Sequence, residues 1–139
     1  MADDHDFPRA ATASYVPATE QLVVEVFVRS LDRALEFYRA LGFQVLGRKG
    51  GFATVTWEEH RLFLDEQPHY EPPAAPQANV RVMVPDVDAW WRRASAMGAR
   101  VLAPIADRYY GLRDFTIADP DGFGIRFASR IQGAQENLP

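Results

Sequence analysis

Arg126 stands near the end of the stretch RYYGLRDFTIADPDGFGIRF, residues 108–127. Its guanidinium is a permanent cation with a planar fork of donors, matched to a carboxylate or a carbonyl oxygen. Asp114 precedes it in the same stretch, and Tyr109 and Tyr110 stand near its start. Further upstream, Glu25, Phe27, Phe63, Asp65, Asn79 and Arg81 supply charge, amide and aromatic surface. Flat rings with a few placed charges would hold a planar polar small molecule. Arg126 has a second reading, an internal ion pair with Asp114, Glu25 or Asp65 that steadies the sheet.

Covalent chemistry finds no comparable set. The 139-residue chain has no cysteine, which excludes a thiol nucleophile, a disulfide and a Cys-ligated zinc. Its three histidines, His5, His60 and His69, are scattered. Ser30 reads as a helix cap, and Ser95 and Ser129 have no histidine within reach. Gly50-Gly51 is followed by no helix, so it reads as a hairpin turn and not a phosphate loop. No catalytic residue, metal or cofactor is assigned.

The formal net charge is -4. With no basic cluster, a nucleic-acid partner is not expected. No apolar run approaches the roughly 20 residues that span a bilayer, so no membrane partner is expected either. The acidic start lacks the charged-then-apolar order of a secretory signal, which makes the cytoplasm the expected compartment.

The elements that must position these residues come in two copies. LVVEVFVRSLDRALEFYRALGFQVLG from Leu22 aligns with ANVRVMVPDVDAWWRRASAMGARVLA from Ala78. The shift takes Val24, Val26, Val28, Asp32, Ala40, Gly42, Val45 and Leu46 onto identical residues, from Val80 to Leu102, as a duplication would. Each copy opens with a strand of alternating valines and continues into a helix. Ser30 and Asp86 cap these helices, and Gly42 and Gly98 close them. Leu31, Ala34, Leu35, Tyr38 and Leu41 form one apolar stripe, and Val87, Trp90, Trp91, Ala94 and Met97 the other. The tryptophans read as helix-to-sheet core.

Strands follow near 44–48, 52–57 and 61–65 in the first copy, and near 100–103, 114–118 and 124–128 in the second. Asp119-Pro120-Asp121-Gly122 has the residues of a tight hairpin turn, and that reading accounts for all four. The expected organisation is a flexible lead-in (1–20), a βαβββ module (21–66), a proline-rich linker (67–77), a second βαβββ module (78–130) and a tail (131–139). The fold class is α+β. Alternation turns Glu25, Phe27, Arg61, Phe63 and Asp65 away from the helix in one copy. It does the same for Asn79, Arg81, Gly124, Arg126 and Ala128 in the other, with Asp114, Thr116 and Ala118 added on the neighbouring strand. Phe52, Phe115 and Phe127 are expected in the core.

The patterns FY-x-x-LGF (from Phe37) and YG-x-RDF-x-x-x-DPDG (from Tyr110), set on this repeat, resemble the vicinal oxygen chelate superfamily. That superfamily includes glyoxalase I, extradiol dioxygenases and bleomycin-resistance proteins. The resemblance spans residues 22–130 and implies two βαβββ modules whose curved mixed sheets form a cleft, often completed by a homodimer. In metal-dependent members, His or Gln opens each module and Glu sits on its last strand. Carried over, those places hold Val23, Phe63, Asn79 and Arg126, of which only Asn79 has an oxygen to offer. The resemblance therefore points to the bleomycin-resistance-like branch: a metal-free, dimeric protein that binds an antibiotic-like small molecule without catalysis. The alternative is a lyase, isomerase or dioxygenase of the same superfamily with an atypical metal or none. Fold alone does not decide between them.

Overall fold

The computed structural model describes residues 15–138. A helical turn, α1 (Ala18–Gln21), leads into β1 (Val24–Val28), α2 (Leu31–Leu41), β2 (Gln44–Lys49), β3 (Phe52–Trp57) and β4 (His60–Glu66). The second unit repeats the order with β5 (Asn79–Met83), α3 (Val87–Ala96), β6 (Arg100–Asp107), β7 (Leu112–Ala118) and β8 (Gly124–Arg130). Each unit forms a four-stranded mixed sheet, ordered β1-β4-β3-β2 and β5-β8-β7-β6. The first and last strands of each unit run parallel, and the remaining neighbours are antiparallel. The expected α+β class and both βαβββ modules are present.

Local chemistry explains the helix limits. The Ser30 hydroxyl accepts the Arg33 amide at 3.3 Å, and the Asp86 carboxylate accepts that of Ala89 at the same distance. Helix α2 ends at Gly42, whose φ of +123° few other residues tolerate. All five expected stripe residues of α2 are buried, Leu31 to Leu41. In α3 the stripe holds more loosely: Val87 and Ala94 are buried, while Trp90, Trp91 and Met97 are partly buried against the core.

One hydrophobic core serves both units. Trp57 of β3 meets Trp90 of α3 at 4.9 Å between ring centres and Phe127 of β8 at 5.6 Å. Phe127 in turn stacks on Trp90 and Phe115. A Cβ at Gly42 would lie 2.8 Å from the Trp90 ring, so the glycine both ends its helix and admits the other unit's tryptophan.

The 119–122 turn does more than reverse the chain. Asp119 accepts the Asp121 and Phe123 amides, each at 2.9 Å, and the Tyr38 hydroxyl of α2 at 2.8 Å. Asp121 holds Arg29 at 2.6 Å. Four residues expected to act only as a turn are a polar joint between the units. Burial, reinforced by the negative charge of Asp119, pushes the Tyr38 phenol well above its ordinary value, and burial also raises Asp119.

Three other expectations need correction. Val24, the first residue of β1, is 47% exposed, whereas Val26 and Val28 are buried. Strand β6 runs on to Asp107 through two register irregularities, past its expected end near 103. The lead-in falls largely outside the described residues, but α1 is helical and its Glu20 reaches Arg61 at 3.1 Å.

Candidate ligand-binding site

Strand pairing fixes which side chains share a face. Val24 pairs with Leu62 and Glu25 with Phe63 in the first unit; Val80 pairs with Ile125 and Arg81 with Arg126 in the second. Glu25, Phe27 and Phe63 therefore occupy the places of Arg81, Met83 and Arg126. On the next strand, Phe52 opposite Asp65 corresponds to Asp114 opposite Ala128. In both sheets these residues project away from the helix.

The first face is aromatic and acidic. Phe52 and Phe63 lie 5.2 Å apart, and Phe27 meets Tyr70 edge-on at 5.7 Å. Asp65 accepts the Gln67 side-chain amide at 3.2 Å. Phe27 is 44% exposed and Phe52 36%. Phe52 thus sits on the open face and not in the core, as alternation with buried Ala53 and Val55 requires. Phe115 and Phe127 are fully buried, as expected.

The second face is built on Asp114, whose side chain is only 4% exposed. Its carboxylate accepts Arg126 Nε at 3.0 Å, Arg108 Nε at 2.8 Å and the Tyr110 hydroxyl. The Arg126 guanidinium also lies over the Tyr110 ring, 5.2 Å from its centre. Burial and the bond to Asp114 raise the Tyr110 phenol, against the pull of Arg126. Among the described residues no buried side-chain nitrogen or oxygen lacks a partner. The partner of Arg126 is therefore Asp114, and not Glu25 or Asp65.

Arg81 pairs with Glu136, and Tyr109 is 93% exposed with its ring edge against Tyr110. Asn79 lies exposed beside Gly124, where an added Cβ would meet its own at 2.8 Å. Sequence reasoning missed Arg108 and Glu136. A hairpin closed by the Arg108 amide on the Leu112 carbonyl at 2.7 Å brings Arg108 back over Asp114. The Tyr109-Tyr110-Gly111 turn signal could have shown this.

The ten candidates thus form two groups, one per sheet. Glu25 and Phe27 line a cavity of about 340 Å³ that also touches Tyr70, Gly122 and Phe123. Arg81 and Met83 line another of about 490 Å³ with Trp57, His60 and Val80. Both cavities lie at the seam between the units.

The metal places do not fit a metal. Val23 and Phe63 carry no donor, Arg126 is a cation engaged by Asp114, and one Asn79 oxygen cannot hold an ion tightly. Among the described residues no three His, Asp or Glu side chains come together as a ligand set.

Two mixed βαβββ sheets packed on one shared core define the protein's class. The sequence pattern of the glyoxalase/bleomycin resistance protein/dioxygenase superfamily matches residues 21–127, and the chain belongs to that superfamily. A glyoxalase/bleomycin resistance protein/dioxygenase from Nocardioides superposes with a TM-score of 0.70 at 21% identity, over 84% of this chain and 87% of that one. TioX from Micromonospora sp. ML1 gives 0.63 at 26% identity, over 79% and 98%. A bleomycin-binding protein complexed with bleomycin gives 0.67 at 21% identity, over 81% and 99%. No curated protein matches the chain. Among the described residues no helix is long and apolar enough to cross a membrane.

Proposed function

We propose that the chain is a metal-independent, homodimeric small-molecule binding protein of the bleomycin-resistance-like kind. The observation that carries this reading is the pair of unlike faces, aromatic at Phe27, Phe52 and Phe63 and ion-paired at Asp114 and Arg126. On the first face Phe27 and Phe52 stand exposed, which favours a cover. In a two-fold dimer the first face of one copy meets the second face of its partner, and a flat ligand lies between rings and guanidinium. The similarity to a bleomycin-binding protein supports the ligand class. Asp114 is engaged by three donors and so is not free to act as a base, which favours binding over catalysis.

The test combines sedimentation, metal analysis and a thermal-shift screen of glycopeptide antibiotics and planar aromatic compounds. A dimer at micromolar concentration, burying more than roughly 1,000 Å², is expected. Far less than one divalent ion per chain is expected, with hits whose affinity survives a chelator. A monomer, or binding that a chelator abolishes, would overturn the reading.

A further inference from the structure

Strands β5 and β8 run parallel with Arg81 and Arg126 as Cα partners, so the two arginine side chains leave the sheet as neighbours on one face. Adjacent like charges repel unless an anion lies between or beside them. Asp114 accepts a hydrogen bond from the Nε of Arg126, and among the described residues the Nη atoms hydrogen-bond no carboxylate. The charge on Arg81 is met from elsewhere in the chain. Residues 131–138 form neither helix nor strand, and they fold back over the Tyr110–Gly111 loop. Two backbone bonds hold them there, Ile131 to the Gly111 carbonyl at 3.1 Å and Asn137 to the Tyr110 carbonyl at 2.9 Å. This places the Glu136 carboxylate, 11% exposed, on Arg81.

A carboxylate delivered by a polar segment with few tethers is a resident counter-ion. Arg81, Arg108 and Arg126 face Asp114 and Glu136, which leaves one positive charge, and two when Glu136 withdraws. We infer that Arg81 and Arg126 form an oxyanion subsite whose ligand is a carboxylate on a planar body, and that Glu136 is the built-in competitor the ligand displaces. The exchange swaps one carboxylate for another on the same guanidinium and breaks no covalent bond. It rests on the proposed binding function only for the planar body of the ligand.

The experiment is calorimetric titration of the full chain with benzoate and with benzamide, which shares the ring and lacks the charge. Benzoate is expected to bind more tightly than benzamide, and less tightly as salt rises. Glu136→Gln should tighten benzoate by about fivefold, because the competing state is removed, and leave benzamide unchanged. Adding Arg81→Gln should erase that gain. Equal benzoate affinity in wild type and Glu136→Gln, or no benzoate binding to either, overturns the inference. Binding of benzamide and benzoate alike, lost in Phe63→Ala, would also overturn it while leaving the binding function standing. Benzoate binding that ignores Phe63 does the reverse.

Discussion

Equivalent positions in the two sheets carry opposite chemistry. Glu25 answers to Arg81, Phe63 to Arg126 and Phe52 to Asp114, while Thr54 and Thr116 agree. On the helix side the positions that meet the core stay apolar, with Val26 and Val82, Val55 and Ile117, Leu64 and Phe127 all buried. The buried side must fill a close-packed core, which tolerates only changes of shape among apolar residues. The outer side meets water, where a ring and a guanidinium cost the backbone nearly the same. A duplicated sheet therefore keeps its fold through one face and is free to specialise through the other.

The comparison is broken most severely from the buried side. Phe127→Ala should cost about 3–5 kcal/mol in denaturant unfolding, since the ring is fully buried among Trp57, Trp90 and Phe115. Next comes the polar joint. Tyr38→Phe should cost about 1–3 kcal/mol by leaving Asp119 short of a donor. The raised phenol also predicts a pH effect. Its contribution is present in full below the unfolded tyrosine pKa of about 10 and is lost as the pH climbs toward the higher folded value. Stability of Tyr38→Phe should therefore fall less steeply in alkali than that of wild type.

Arg126→Ala should cost about 1–2 kcal/mol, because Arg108 and Tyr110 still satisfy Asp114. It should nonetheless weaken binding of ligands that carry a carboxylate or carbonyl oxygen. If it unfolds as badly as Phe127→Ala, or leaves binding untouched, the second face is structural and the comparison fails. The smallest stability effect is expected for Phe63→Ala, about 1 kcal/mol for a half-buried ring. The measurement that sharpens the contrast is its affinity for uncharged aromatic ligands, which should drop while Arg126→Ala retains them.

Period-two alternation made the strands and their facing legible, and the helical stripe from Leu31 to Leu41 needed nothing else. Position-by-position transfer of the resemblance singled out Arg126 as occupying a place expected of a metal ligand. The partner of each charge was not legible. Tyr38 meets Asp119 across 81 residues, and Arg81 meets Glu136 across 55, with no periodic signal to announce either. The extension of β6 was hidden by its two irregularities, where alternation lapses. Phe52 is a different case: alternation with Ala53 and Val55 pointed it outward, and its hydrophobicity outweighed that signal.

Gly42 has a consequence for how the chain comes apart. The residue that terminates the first helix is also the one against which Trp90 of the second unit rests, and Arg93 reaches the Ala40 carbonyl beside it at 2.8 Å. Fraying that helix end removes the tryptophan's support, and losing the tryptophan strips the helix end of its cover. Neither repeat can melt alone, so amide hydrogens in the two sheets should exchange through one shared global opening.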